Sequence, residues 1–354
     1  MSFDYLKFSP RLPDFSGNRT IISNTLPIQE KWRVKLGGPV RYVVARDQQL
    51  WVWHGDWLSA LDVATGQERW REPTDSLRDD PPAVGDNAIA YEQTPPGNHS
   101  VVVLNASSGQ LKWRIPVVST FSLAIGNGRV YVGTARLDAY DLESGKLAWD
   151  VGYPELPYQT LRLYYDSGKL YAFAEERTFV LDPVTGKILY SFIHKRGIAS
   201  TITQNTIFDI DAHNIYSTDL RSGVLLWTKR EQPRIFISPA LIGQMLYVCT
   251  DDGDNVIAVD SGSGDQEWSS GTVKHAFSNI AELNGLGYVI GNDGRLRAFR
   301  LDTGTQVGML DTGAGLPFGS HQMYALPSLV MANKTLIVSF GDAYLFGFQT
   351  LPSK

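Results

Sequence analysis

The sequence predicts an all-β chain: one eight-bladed β-propeller of four-stranded antiparallel blades, the last blade closed by the N-terminal strand. Three observations lead there. A turn motif returns at intervals of 36 to 43 residues. Each interval holds four short strand-like runs with almost no helical periodicity. The chain ends three strands into a last unit and begins with a strand that has no unit of its own. Four strands per ~40–45 residues is the arithmetic of a propeller blade.

The motif reads Asp-x-x-Thr/Ser-Gly-x-x-x-Trp. It runs from Asp62 through Thr65 and Gly66 to Trp70, and again from Asn105 through Ser108 and Gly109 to Trp113. Further copies start at Asp141, Asp182, Asp219 and Asp260, ending at Trp149, Tyr190, Trp227 and Trp268. A seventh, degraded copy has Arg300, Thr303, Gly304 and Gly308. Glycine holds its register in all seven copies although only 33 of 354 residues are glycine, so chance does not explain the pattern. The physical reading is a strand ending at Asp, whose carboxylate accepts backbone N–H groups inside a tight turn. The glycine takes the positive-φ position, and a second strand leaves with a Trp at fixed height. A large ring repeated at one height suits packing between successive units.

The sixth unit shows the whole pattern: runs at 237–242 and 245–249, a turn at 251–254, then runs at 255–260 and 266–269. After the seventh unit, 328–332, 335–340 and 343–349 read as three strands of an eighth, with Gln349 where Asp would stand. Too few residues follow for the fourth. Residues 30–36, which carry Trp32, supply it and leave no open sheet edge there. Residues 30–354 therefore form a single propeller. Residues 1–29, with Pro10, Pro13 and Pro27, are expected to pack on the rim.

Composition narrows function. A net charge of -5 argues against broad nucleic-acid binding, which leaves a basic footprint. Cys249 is the single cysteine, so there is no intrachain disulfide and no multi-thiolate zinc site. No apolar run is long enough to give a transmembrane segment. Residues 1–10 lack the apolar core of a signal peptide, which leaves either a cytoplasmic chain or one whose export leader has been removed.

The repeated Leu/Val-Asp-x-x-Thr-Gly-x-x-x-Trp frame resembles the PQQ-like (quinoprotein-type) β-propeller repeat family over residues 30–349. That resemblance implies a bacterial propeller, and it covers quinoprotein dehydrogenases, an eight-bladed outer-membrane assembly scaffold lipoprotein, and sensor or interaction domains. Fold does not choose among them. Many of the dehydrogenases stack a vicinal disulfide on the quinone, which the lone Cys249 cannot form. They also carry long insertions that cap the cofactor, and none is visible here. Neither PQQ nor calcium is therefore expected. The scaffold branch fits in blade count and size, and differs in having a lipobox cysteine near its N-terminus.

Other constellations are weak. The histidines His54, His99, His194, His213, His275 and His321 do not pair at metal-ligand spacing, so no metal site is expected. The run Asp251-Asp-Gly-Asp254 fits a hairpin turn better than a calcium loop. No Gly-x-Ser-x-Gly or P-loop pattern appears. Trp51, Trp53 and Trp57 form an aromatic group around His54-Gly-Asp56, read either as blade-to-blade packing or as an exposed docking patch. The segments entering each blade carry Arg41, Arg78, Arg196, Arg234, Lys274, His275 and His321, partly offset by Asp79, Asp80 and Glu231. They are either a scattered solvated surface or a cationic axial funnel.

The expectation is a non-catalytic propeller that binds or scaffolds a protein partner through loops on one face, the longer ones being 71–82, 92–100, 151–159 and 311–327. The alternative is a small-molecule enzyme or sensor whose funnel binds an anionic ligand or acidic peptide.

Overall fold

The computed structural model describes residues 21, 23–74, 81–94, 99–118, 120, 122–152, 162–174, 177–193, 199–203, 205–211, 213–230, 239–250, 255–270, 278–291, 293–312 and 327–351. Every regular element among them is a β-strand. The strands form eight antiparallel sheets of four strands, one of which carries a short fifth strand at its edge. Blades 1 to 7 occupy 40–73, 83–117, 122–151, 162–193, 199–230, 240–269 and 281–311. Blade 8 joins 328–350 to 28–35. First strands of several neighbouring blades touch, as those of blades 2 and 3, 3 and 4, 7 and 8, and 8 and 1 do. Outer strands alternate exposed and half-buried residues, as Leu225–Arg230 does.

Closure follows the expected plan. The strand Ile28–Lys35 pairs antiparallel with Tyr344–Thr350, from Ile28 opposite Thr350 to Lys35 opposite Tyr344. It begins two residues earlier than the sequence suggests, because Ile28 is buried and already paired. Upstream, Ser23–Asn24 pairs with Asp311 and Leu310 on the outer strand of blade 7. The N-terminal segment therefore stitches two blades together.

The motif turn behaves as its chemistry requires. Oδ1 of Asp62 accepts the backbone N–H of Ala64 and Thr65 and the Thr65 hydroxyl, at 2.9 to 3.0 Å. Gly264 has φ +80°, and a Cβ there would stand 2.8 Å from the Trp227 ring. Each ring packs on the glycine turn of the next blade, and its N–H reaches the carbonyl just after that blade's motif Asp or its equivalent. Trp32 Nε1 donates to Val63 (3.0 Å), Trp113 to Leu142 (2.9 Å) and Trp227 to Ser261 (3.0 Å). The repeated Trp is thus a hydrogen-bonded inter-blade wedge.

Two copies depart from the pattern, for physical reasons. In blade 4, Tyr190 keeps the hydrogen bond, its hydroxyl donating to Leu220 (3.3 Å), but the ring beneath Gly223 is Phe192. In blade 7, Gly308 replaces the ring because blade 8 has no glycine turn to receive one: its third and fourth strands come from opposite ends of the chain. The space holds the N-terminal segment instead. A Cβ at Gly308 would meet the Thr25 carbonyl oxygen at 2.6 Å, and Leu26 is buried beside Leu310 and Phe348.

Candidate functional site

The two ends of the blades differ. At one end lie the motif turns and the hairpins joining first to second strands. Several of these are two-residue turns with both residues at positive φ: Asp86-Asn87, Asn127-Gly128, Ser167-Gly168, Asn284-Gly285 and Asn333-Lys334. Their twist matches that of the strands, so this hairpin face is tight and short. At the other end each outer strand finishes and the next blade begins, as at Val151 and Arg162 or Asp311 and Ser328, with ten or more residues of sequence between them.

Buried polar groups collect at the second end, the loop face. His54, Glu92, Gln93, Thr250 and Ser339 close second strands there. Ser100, Thr178 and Arg297 open third strands, and Thr74 and Thr312 follow outer strands. Thr218 and Thr335 are exceptions near the hairpin face. Buried polar atoms need partners, so a sequence that places them beneath one face commits that face to ordered polar structure.

Three carboxylate or imidazole groups show how. In blade 1, Ser59 donates to Glu68 (3.0 Å) and lies 2.9 Å from His54 Nε2. The single Ser59 proton is used on Glu68, so His54 is the donor in that contact and its unpartnered Nδ1 carries no proton. Burial, with Arg71 nearby, lowers the His54 pKa to about 4 and keeps the ring neutral. Ser59 is fully buried. In blade 2, Glu92 is satisfied at both oxygens: His99 Nδ1 lies 2.7 Å from Oε1, and Thr120 donates its N–H and hydroxyl to Oε2. In blade 5, Asp209 takes a bond from Ser200 (2.5 Å) at Oδ1, while Oδ2 has no partner. Burial raises its pKa to about 6. Blade 7 adds Arg297, buried and bidentate on Asp293 at 2.8 and 2.5 Å.

The aromatic group resolves into packing. Trp51 and Trp53 are buried between blades 1 and 2, against Ile89, Tyr91 and Val102, and Trp51 Nε1 donates to Ala106 (3.0 Å). An exposed three-ring docking patch is therefore not formed, because strand alternation turns both rings into the inter-blade core. Trp57 alone of the three reaches the surface: it is half-buried on the loop face, with the Arg71 guanidinium 5.4 Å from its ring centroid. Of the funnel cations, Arg41 sits half-buried on the first strand of blade 1. Arg78, Arg196, Arg234, Lys274, His275 and His321 lie outside the described residues, as does the Asp251-Asp-Gly-Asp254 turn. Sequence reasoning missed Glu92 and Asp209. Counting along the second strands from each motif Asp would have found them, as the charged residues in columns that are otherwise uncharged and mostly apolar.

Among the described residues no group of three His, Cys, Asp or Glu side chains is placed to hold a metal ion, and no helix is long and apolar enough to cross a membrane.

The profile of the family described as outer membrane protein assembly factor BamB matches residues 54–191 and 177–345. No curated protein matches the sequence. Among solved structures, BamB from Moraxella catarrhalis is similar with a TM-score of 0.69 at 14% identity, covering 91% of this chain and 99% of that one. The quinohemoprotein alcohol dehydrogenase ADHIIG from Pseudomonas putida HK5 reaches 0.67 at 14% identity, covering 95% and 78%. A europium-containing methanol dehydrogenase reaches 0.67 at 13% identity, covering 94% and 95%. Identities this low show a shared fold alone.

Proposed function

We propose, for a chain that belongs to the family of the outer membrane protein assembly factor BamB, that its work is to hold a protein partner on the loop face, without catalysing a reaction. The observation that carries this reading is the contrast between the faces. One consists of short hairpins, with a cavity of about 520 Å³ between the Arg46–Gln49 and Gly85–Asn87 hairpins of blades 1 and 2. The other sets long connections on a hydrogen-bonded polar layer. A rigid ring beneath variable loops is a binding platform, because the strands fix positions and the loops supply specificity. Apolar residues on that face, including the half-buried Trp57 and the 91% exposed Val118, suit the centre of an interface. The family description supports a partner drawn from outer-membrane protein assembly.

The same reading has the chain working without PQQ or calcium. The lone Cys249, buried with its thiol pKa pushed up to about 12, supports it, since no second thiol exists to build the disulfide that many quinoproteins place on the cofactor. A PQQ titration with calcium present, followed by absorbance, should show no saturable binding.

Site-specific photocrosslinking tests the face. A photoreactive residue at Val118 or Arg136 on the loop face should trap a discrete protein adduct in cells. The same residue at Asn127 or Val184 on the hairpin face should not. Equal trapping from both faces would remove the basis for the proposal.

A further inference from the structure

We propose that the cavity between blades 4 and 5 is a binding site for a small organic amine, with Asp209 accepting its ammonium group. The cavity is about 140 Å³ and opens between the first strand of blade 4 and the first two strands of blade 5. Its polar floor is Asp209 with Ser200, and its walls include Tyr164, Phe173 and Ile207. Arg162 stands exposed at its edge.

The argument begins from register. Counted from the residue opposite each motif Asp or its equivalent, Asp209 fills a column that is valine in five blades: Val52, Val132, Val248, Val289 and Val338. Tyr91 and Ala172 fill it in the other two. Its cross-strand partner Ser200 stands where the corresponding pairs place Val43, Leu123, Leu163 and Leu329. One blade of eight has thus exchanged an apolar pair for a hydroxyl and a carboxylate at a buried position.

Burying a carboxylate is costly unless its lone pairs are used. Glu92 is the useful control. It too stands where other blades place Trp53, Phe173 and Ile210, but His99 and Thr120 satisfy both of its oxygens. Asp209 is 1% exposed, and its Oδ2 has no donor. No ion pair with it is formed among the described residues. A carboxylate left half-satisfied on a cavity wall, where valine would pack, breaks the local rule in the way functional sites do.

The lining chooses the ligand class. An acceptor oxygen carrying negative charge calls for a charged N–H donor. Aromatic rings beside it favour an organic cation over a hydrated metal ion. The small volume limits the stem to a few carbons. Arg162, exposed at the edge and attracting the Asp209 carboxylate from there, stands where it would assist a ligand whose stem ends in a carboxylate.

The test is calorimetric titration of the full chain at pH 7.5 with three probes: n-propylammonium, γ-aminobutyrate and butyrate. We expect saturable binding of the first two and none of butyrate, with amide shifts confined to 162–164, 199–202 and 206–210. Asp209→Val should bind the amines at least about tenfold more weakly while melting no lower than the native chain. Asp209→Asn, which keeps the shape and the Ser200 contact, should lose affinity in the same way if the valine variant folds poorly. Absence of saturable amine binding, equal binding by butyrate, or unchanged affinity in Asp209→Asn would overturn the assignment.

Discussion

The hairpin face and the loop face are built from the same strands, yet they follow different rules. On the hairpin face the recurring residues are dictated by backbone geometry: a carboxylate that caps its own turn, a glycine at positive φ, a ring from the previous blade wedged against it. On the loop face the strands end in hydrogen-bonded groups that differ from blade to blade, His54 with Ser59 in one, Glu92 with His99 in the next, Arg297 with Asp293 in another. The repeat is conserved within the molecule where it assembles the ring and diverges where the ring meets its surroundings. Position in the fold, rather than blade number, decides which residues are free to vary.

The comparison can be broken most severely at the closure beneath both faces. Removing residues 1–36 takes Leu26, Ile28, Trp32 and Leu36 out of the core and leaves Tyr344–Thr350 as an open edge, paired only with Thr335–Ser339. At about 2–5 kcal/mol for each large buried side chain, the loss is on the order of 10 kcal/mol, enough to abolish cooperative folding. Calorimetry should show no native transition, and a truncated chain melting with the full one would refute closure by strand exchange.

A second change strikes the hairpin face alone. Gly264→Ala combines a positive φ with a Cβ pressed against the Trp227 ring and should cost about 2–4 kcal/mol in urea unfolding. An alanine variant as stable as the native chain would mean that the wedge is soft.

The loop face should reveal itself through pH. His54 is held at about 4 when folded, below its ordinary 6.5, so the unfolded chain binds more protons between those values. Stability contributed by the neutral ring is full above pH 6.5 and falls as pH drops toward 4, by on the order of 3 kcal/mol. Asp209 acts oppositely: its pKa of about 6 lies above the ordinary 3.8, so the folded state gains stability as pH falls through 6 toward 3.8. The two partly cancel in the native chain. His54→Gln, which copies Gln93 at the matching position of blade 2, should therefore flatten or reverse the acid loss of melting temperature between pH 6.5 and 4. A slope identical to the native one would assign the acid sensitivity elsewhere.

Most of the hairpin face was legible in the sequence, because turn chemistry is local. Asp, Thr or Ser, and Gly at fixed spacing specify the turn without reference to anything distant. The head-to-tail strand was legible from Trp32, a ring with no motif ahead of it. The substitutions in blades 4 and 7 were not, since Phe192 and Gly308 answer to what lies in the adjoining blade. Trp51 and Trp53 could be assigned to one side of their strand, but only the neighbouring sheet tells that the side is covered. Asp209 was hidden for the opposite reason. Its neighbours Ile207, Phe208 and Ile210 make an unremarkable strand, and the anomaly emerges only when eight strands are laid in register.

The direction of the stitching segment has a practical outcome. Ser23 lies against Asp311, at the loop end of the outer strand of blade 7, whereas Thr350 lies against Ile28 at the hairpin end of blade 8. The polypeptide therefore enters the ring on one side and leaves it on the other. If the loop face holds the partner, immobilising the chain through its C-terminal end should preserve capture better than immobilising it through its N-terminal end.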